Sequence, residues 1–442
     1  MASTAPHDTP DRSPIARRVL VALFLASFLL KAGGVGLMNR YLPWNLSAPD
    51  TRGTYRPLAL GLLHEHQYVI DGDAKVATAV APGFPVYLAA VYTVFGEEVQ
   101  PPVLGVLNAL MQALTTVLIA LIAARAFGAR AGVAAGMIHA IDPWNAFWAA
   151  FELKEPLAVL LATAAVYAVL RLADGPSLRR AAAAGGLIAL AGLTRFPSLG
   201  LAAWALAVAA VLAFRAPAPR RAALRWVLVA AIAFAVAMSP WVVRNYRVFG
   251  EFLLAKHFVG YYFYVTNGPG IEQQPDTSGY SGYAHAEPQP LRRTPGQSVN
   301  NAERELLGRT LRHLVAHPQA ALTLVRARIV NMWRPTFAGS SRGNLLVLGV
   351  PYIVLMLLAG AGIVLARWTP AAGDGERRAR LVVAGVVVFY VLVHVFYWSE
   401  IRYRQYVTPF LWVYAGLAAE RAAKRLAAAS RRPVSVRESN AP

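Results

Sequence analysis

Carboxylates and arginines lie close to the ends of several long apolar segments of this sequence. The acids are Asp50, Asp142, Glu152, Glu155 and Glu400, and the arginines are Arg195, Arg244, Arg247, Arg402 and Arg404. A carboxylate can accept the proton of a hydroxyl group, and a planar guanidinium can bind a phosphate through two parallel hydrogen bonds. Each residue taken alone also fits a plainer role, as a solvated carboxylate or as an arginine that reaches lipid phosphates.

Composition places these residues in a membrane protein. The chain has 442 residues, 57% of them hydrophobic, and a mean hydropathy of +0.43, which is typical of a polytopic membrane protein. The net charge of +20 comes mostly from basic residues in short loops between apolar segments. That pattern is a topology signal, so we expect the lipid bilayer as a partner and no nucleic acid. The absence of cysteine excludes disulfides and thiolate metal sites.

The apolar segments predict an all-α polytopic protein, a bundle of about ten transmembrane helices. Their limits are 19–38, 103–126, 132–147, 156–172, 183–193, 198–214, 226–243, 345–366, 381–398 and 407–419. Residues 84–95 are too short to cross a bilayer, and only if they do not cross does every short basic loop fall on one side. Since Arg17 and Arg18 precede the first span, we expect both termini in the cytoplasm. The location would be the inner (plasma) membrane, with the active site on the extracytoplasmic face.

The same pattern divides the chain into five parts. Residues 1–18 are a disordered cytoplasmic tail, 19–243 an N-terminal transmembrane catalytic module with a large outer loop at 39–102, and 244–342 an extracytoplasmic segment. Residues 343–420 form the C-terminal transmembrane helices, and 421–442 a basic cytoplasmic tail. Within 244–342, the capping-box spacing of Asn300 and Glu303 predicts one helix, and Pro318 predicts the start of a second that ends before Pro335.

Motifs for nucleotide binding and serine hydrolysis do not accompany these residues. The sequence contains no P-loop, dinucleotide fingerprint or Gly-x-Ser-x-Gly elbow. His64 and His66 flank Glu65 without an obvious third ligand, so we expect neither a metal nor a cofactor. Carboxylates and arginines on the outer face then favour sugar transfer from a lipid phosphate. The phosphate would be the leaving group that arginine stabilises, and a carboxylate would be the base for the acceptor hydroxyl.

Segments spread over nearly the whole chain carry a family pattern. They are Pro49-Asp50 with Tyr55, Ala59 and Leu63; Pro82-Gly83-Phe84-Pro85; Lys154-Glu155-Pro156-Leu157; Leu193-Thr194-Arg195-Phe196-Pro197; Pro240-Trp241-Val242-Val243-Arg244-Asn245-Tyr246; and Glu400-Ile401-Arg402-Tyr403-Arg404 with Pro409. Together they resemble the GT-C fold glycosyltransferases of family 39. That group includes protein O-mannosyltransferases and the aminoarabinose transferases that act on lipid A.

The resemblance implies a donor, an acceptor and roles for individual residues. The donor would be a polyprenyl-phosphate sugar, and the acceptor an extracytoplasmic glycan, lipid or protein. Asp50 would be the catalytic carboxylate, Glu155 a second acid in the site, and Arg402 a ligand of the donor phosphate. Further candidates for substrate binding are Arg404, Arg244, Arg195 and Tyr55.

Two positions depart from the family pattern. Asp50 precedes Tyr55 by five residues, where the family usually has four, and Ala81 replaces a lysine that is common in the lipid A enzymes. The first departure bears on the register of the loop, and the second on lipid A as the acceptor.

Other classes of protein fit parts of the pattern. A transporter or flippase for a lipid-linked sugar would carry charges in mid-span and show inverted repeats with broken helices, whereas the charges here are expected at span ends. A further alternative is a non-catalytic membrane scaffold or a ligase-like envelope protein, and a ligase would also use arginines on the outer face. Asp50 discriminates between these hypotheses, because only the glycosyltransferase needs it as a base.

Overall fold

The computed structural model describes residues 14–41, 51–70, 72–98, 101–201, 204, 220–255, 259–273 and 298–430. Asp50 and most of the predicted span 198–214 lie outside these residues. The described part is helical, and its β structure is limited to one isolated bridge between Ile70 and Asp73. The predicted all-α fold class is confirmed.

The helices that we number follow one another in chain order. They are α1 (Arg17–Tyr41), α2 (Arg56–Leu60), α3 (Ala74–Ala77), α4 (Gly83–Phe95), α5 (Pro101–Phe127), α6 (Ala129–Ile141), α7 (Pro143–Ala149), α8 (Glu155–Asp174), α9 (Leu178–Thr194), α10 (Arg220–Phe249), α11 (Val259–Asn267), α12 (Val299–Ala316), α13 (Pro318–Trp333), α14 (Arg342–Trp368), α15 (Asp374–Phe396) and α16 (Thr408–Ser430).

Six of the described helices are long and apolar enough to cross a membrane: α1, α5, α8, α10, α14 and α15. The predicted spans that correspond to α6, α9 and α16 do not meet that measure. In α16 the reason is visible, because its first half is buried and apolar whereas its second half carries Glu420, Arg421 and Lys424. The total of ten spans therefore stays a prediction.

The predicted span 132–147 is wrong as a single helix. Helix α6 ends at Ile141, and Asp142 caps α7, since its Oδ1 accepts a hydrogen bond from Trp144 N at 3.0 Å. Pro143 occupies the first turn of α7, where its missing N–H costs nothing. Asp142 Oδ2 also accepts from Trp412 Nε1 at 3.1 Å, so this acid holds the break between the two helices.

Helix α4 has the length that the sequence predicted for a segment that does not cross. Its 13 residues span about 20 Å, against the roughly 30 Å of a bilayer core. Phe84, Leu88 and Tyr92 pack against Tyr55 and Leu104, so one face of α4 joins the first loop to α5. The side of the membrane on which α4 lies remains a prediction.

The first helix of the segment 244–342 is capped differently from the prediction. Ser298, not Asn300, is the N-cap of α12, and Glu251 accepts hydrogen bonds from Val299 N at 2.8 Å and Asn300 N at 3.2 Å. Glu303 instead accepts from Gly260 N at 2.5 Å, at the start of α11. The capping box was therefore wrong, whereas the second helix does begin at Pro318 and end before Pro335.

The main hydrophobic core lies between α5, α6, α8, α15 and α16. These helices approach closely because small residues line their contacts. A Cβ on Gly416 would lie 2.4 Å from the carbonyl oxygen of Ala131, so only glycine fits at that crossing of α16 and α6. This core supports the N-terminal end of α8 and the C-terminal end of α15, where the candidate site forms.

Lys31 is an exception to the expectation that charges lie at span ends. It lies in the middle of α1, is fully buried, and donates to Ser27 Oγ at 2.7 Å. It also donates to the carbonyl oxygens of His139 and Ala140, at 3.2 and 3.3 Å, near the end of α6. A cation there satisfies carbonyls that a helix end leaves unpaired, so Lys31 fastens α1 to α6.

Candidate active site

Four segments meet at the end of the bundle where α8 begins. Tyr55 closes the π-helical turn Thr51–Tyr55, and its hydroxyl accepts a hydrogen bond from Lys154 Nζ. Thr51 Oγ1 donates to the carbonyl oxygen of Glu152, which lies two residues before Lys154 in the segment that leads into α8. The turn Ile401–Tyr406 packs against α8, and Arg195 follows the last residue of α9. The first loop is thus tied to the start of α8 at two points.

Glu155 is a buried acid with unused hydrogen-bonding capacity. It is the first residue of α8 and only 1% exposed, and Pro156 stabilises the first turn behind it. Neither of its carboxylate oxygens has a hydrogen-bond partner within the described residues. Its carboxylate lies at the N-terminal end of the helix, directly after Lys154 in the chain. Because burying an unpaired carboxylate is costly, this group is poised for a ligand.

Lys154 supplies a cation beside this acid. Burial alone would lower the pKa of its ammonium group, but interactions with Tyr55 and Glu155 raise the pKa above the ordinary value of 10.5. Its Nζ also lies 5.0 Å from the centroid of the Tyr55 ring. Lys154 is therefore charged at neutral pH and links the first loop to α8.

Arg195 lies among aromatic rings with one arm of its guanidinium open. Helix α9 ends at Thr194, as expected before Pro197, and Arg195 is its C-cap. The guanidinium carbon lies 3.8 Å from the centroid of Tyr406 and 5.0 Å from that of Tyr403. Nη2 donates to His394 Nε2 at 3.1 Å, whereas Nη1 is buried without a hydrogen-bond partner in the described structure.

The partner of Arg195 is itself fixed in orientation. His394 Nδ1 lies 2.8 Å from the carbonyl oxygen of Trp398, so Nδ1 carries the proton and Nε2 accepts from Arg195. The imidazole also stacks on Tyr403, with centroids 4.8 Å apart. His394 thus holds the Nη2 arm of Arg195 and does not occupy Nη1.

Arg402 forms an ion pair within its own turn. Its Nε lies 2.8 Å from Glu400 Oε2, and its guanidinium carbon lies 5.2 Å from the centroid of Tyr403. Glu400 Oε1 in turn accepts from Trp398 Nε1 at 3.1 Å. Tyr403 interacts electrostatically with Arg402, Glu400, Lys154 and Arg195, and burial raises its pKa to about 12, so its hydroxyl is neutral. The charged groups of the site therefore surround one tyrosine.

Two of the predicted substrate-binding arginines have their contacts elsewhere. Arg404 is buried between the rings of Trp144 and Tyr352, at 4.2 and 3.9 Å, and donates to the carbonyl oxygen of Arg334 at 2.7 Å. Arg244 donates to Thr78 Oγ1 and to the carbonyl oxygens of Tyr68 and Ala74, at 2.7 and 2.6 Å. Arg404 thus anchors the 401–406 turn, and Arg244 anchors the first loop to α10.

The structure brings Tyr55, Glu155, Arg195 and Arg402 into one region, and Asp50 lies outside the described residues. Sequence reasoning missed Lys154 and His394 as members of this site. Lys154 stands directly before Glu155, which was a usable signal, whereas no sequence feature pairs His394 with Arg195, 199 residues away. Within the described parts of the chain, no three acids or histidines lie close enough to hold a metal ion.

Comparison with protein families finds one match within the chain. Residues 79–243 match the family described as dolichyl-phosphate-mannose-protein mannosyltransferase. That range contains Glu155 and Arg195. A search of the curated proteins finds no significant match.

Comparison with solved structures places the fold. The apo oligosaccharyltransferase from Archaeoglobus fulgidus is 15% identical with a TM-score of 0.57, and the match covers 93% of this chain and 51% of that one. A second structure is the archaeal oligosaccharyltransferase AglB from Archaeoglobus fulgidus in complex with an inhibitory peptide and a dolichol-phosphate. It is 15% identical with a TM-score of 0.55, and the match covers 93% of this chain and 51% of that one. ArnT from Cupriavidus metallidurans bound to undecaprenyl phosphate is 16% identical, with a TM-score of 0.40, and the match covers 94% of this chain and 80% of that one.

The chain spans about half the length of the archaeal structures that it matches. The inhibitory peptide and the dolichol-phosphate are ligands of the archaeal protein. The shared architecture confirms the fold that the sequence motifs predicted. This chain has the GT-C fold of membrane glycosyltransferases, and its residues 79–243 match the dolichyl-phosphate-mannose-protein mannosyltransferase family.

Proposed function

We propose that this protein transfers a sugar from a polyprenyl-phosphate donor to an extracytoplasmic acceptor. The observation that carries the proposal is the buried Glu155 with two unpaired oxygens, in the same cluster as Arg195 with its unpaired Nη1. Buried polar groups are normally hydrogen-bonded, so these atoms indicate a polar ligand. A sugar phosphate offers hydroxyl groups to a carboxylate and anionic oxygens to a guanidinium.

The cations of the site suit the leaving group of such a donor. Arg195 Nη1 is open to a phosphate oxygen, and Arg402 can exchange part of its pairing with Glu400 for a second one. Lys154 adds a third positive charge. Cations that are positioned before the reaction stabilise the negative charge that develops on a departing phosphate.

The base in this proposal is Asp50. Its sequence neighbour Thr51 is bonded to the carbonyl oxygen of Glu152, at the turn that leads into Glu155. An aspartate with the usual pKa of about 4 is ionised at neutral pH. Asp50 accepts the proton of the acceptor hydroxyl, the hydroxyl oxygen bonds to the anomeric carbon, and the bond to the phosphate oxygen breaks with its electron pair on the phosphate.

The acceptor side follows from the charge pattern. If the short basic loops are cytoplasmic, the start of α8 and the turn before α16 face the opposite compartment. The acceptor is then a glycan, lipid or protein of the cell envelope.

The test is sugar transfer by purified Asp50→Asn protein next to a measurement of donor binding. Asparagine keeps the size and polarity of aspartate but cannot take the proton, so transfer should fall by about 10² to 10⁴ while the donor still binds. Glu65→Gln, at an exposed position in the same loop, is the matched control and should transfer normally. Near-normal transfer by Asp50→Asn would exclude Asp50 as the base.

A further inference from the structure

A cavity lies at the end of the bundle opposite the candidate active site. It has a volume of about 540 Å³, and the last turns of α5 and α8 and the first turns of α6 and α15 form its walls. Glu155 and Asp174 mark the two ends of α8, so the cavity is roughly 30 Å from the candidate active site. It is therefore a separate site.

The acids that line this cavity are already neutralised by neighbours. Asp174 Oδ2 lies 2.9 Å from Arg125 Nε, and the Arg125 guanidinium covers the ring of Tyr167 at 4.7 Å. Glu376 is paired with Arg380 at 3.3 Å. The protein thus supplies its own partners for both carboxylates and for Arg125.

Arg171 is the lining cation that these pairs leave available. Its Nη1 lies 3.5 Å from the Tyr167 hydroxyl, a long contact, and it forms no ion pair with any described residue. The helices that begin at the cavity have Gly128 and Gly373 as N-caps, which carry no side chain to accept from the first N–H groups. A guanidinium that forms no ion pair with a described residue, next to two helix starts of this kind, favours an anion.

We propose that this cavity binds the phosphate group of a lipid headgroup. Its volume lies within the range of small-molecule sites, about 300–1,000 Å³. Arg125 and Arg171 stand in the last turns of apolar helices, which puts the cavity at headgroup depth. Arg378 adds positive charge nearby, since its Nη1 donates to the carbonyl oxygen of Ala173 at 3.4 Å. Basic pockets between the ends of transmembrane helices are suited to anionic headgroups. The inference does not depend on the proposed transferase activity.

The experiment measures the thermal stability of the purified full chain in mild detergent. The probe is dioctanoyl phosphatidic acid, with dioctanoylglycerol as the lipid that lacks a phosphate and inorganic phosphate as the soluble anion. A ligand that binds the folded state raises Tm with its concentration. We expect phosphatidic acid to raise Tm, and dioctanoylglycerol to leave it unchanged.

Three variants locate the effect. Arg171→Gln should weaken phosphatidic acid binding by at least about tenfold, the usual effect of losing a charged hydrogen bond. Arg179→Gln removes the same charge from an exposed residue that does not line the cavity and should respond like the wild type. Ala372→Trp fills the cavity without a change of charge and should abolish the response, which keeps the test decisive if Arg171→Gln does not fold.

Two results would overturn the proposal. One is an equal Tm response of the wild type, Arg171→Gln and Ala372→Trp, and the other is a response to dioctanoylglycerol as large as that to phosphatidic acid. A response to inorganic phosphate that Arg171→Gln removes, without one to the lipid, would retain the anion site and reject the lipid as its source. Sugar transfer is not measured, so the outcome is independent of the proposed function.

Discussion

Replacing Arg195 by lysine keeps the positive charge and removes the geometry that the structure gives it. A lysine ammonium cannot lie flat on Tyr406, at 3.8 Å from the ring centroid, and donate to His394 while an arm points to a ligand. We therefore expect Arg195→Lys to fold and to bind the polyprenyl-phosphate donor more weakly.

The magnitude follows from the contacts that are lost. A hydrogen bond from a charged donor contributes about 1.5–3 kcal/mol, so loss of the Nη1 contact to phosphate predicts roughly 10- to 100-fold weaker donor binding. A desolvated cation–π contact contributes about 2 kcal/mol, and its loss should appear as a lower Tm.

The assay separates these two effects in the same preparation. Donor affinity is measured by titration and Tm by thermal unfolding, with Arg247→Lys, an exposed arginine on α10, as the control. His394→Ala should weaken donor binding less than Arg195→Lys, because it frees the guanidinium without removing it. Wild-type donor affinity in Arg195→Lys, with only a reduced Tm, would show that Arg195 serves packing alone and would refute this reasoning.

Described contacts support two further predictions, and the charge pattern supports a third. Arg244→Gln should destabilise the protein by about 2–3 kcal/mol because three hydrogen bonds to the first loop are lost. The control Arg247→Gln should leave the stability unchanged. An unchanged Tm of Arg244→Gln together with lost donor binding would show that Arg244 is a donor ligand instead. Burial alone would raise the pKa of Glu251. The hydrogen bonds that its carboxylate accepts at the start of α12 outweigh this effect, so its pKa lies below the usual 4.5. The ionised Glu251 carboxylate therefore contributes to stability above pH 4.5, and this contribution is lost as the pH falls through the lowered pKa. The Tm difference between wild type and Glu251→Gln should shrink in acid. A Tm difference that stays constant below pH 4.5 would contradict this prediction. Reporter fusions at Glu98 and Arg130 should report outside and inside respectively, and an inside signal at Glu98 would overturn the topology.

Helices were predictable where local sequence decides them. Residues 318–333 form a helix between two prolines as expected, and α4 has the limits that its short apolar run predicted. Asn300 failed as a cap because Ser298 is the N-cap and because Glu251, 48 residues from Val299, accepts from the first N–H groups of the helix. No local spacing records the contact with Glu251. Apolar composition continued across Asp142 and Pro143, so the break there was overlooked although a proline marked it.

The site was predictable in part for a similar reason. Glu155 and Arg402 stood out because charges at the ends of apolar segments need an explanation. Arg404 stood out for the same reason, yet the fold buries it between Trp144 and Tyr352. Which arginine faces a ligand and which faces a ring depends on how the helices pack, and a single sequence does not contain that information.

The most direct measurement of the central claim follows both products of the reaction at once. Purified wild-type protein is incubated with a polyprenyl-phosphate sugar labelled in the sugar and with membrane extract as the acceptor. We predict that one polyprenyl phosphate appears for each sugar transferred, and that Asp50→Asn releases neither while it still binds the donor. Binding or movement of the donor across vesicles without the appearance of free polyprenyl phosphate would contradict the account.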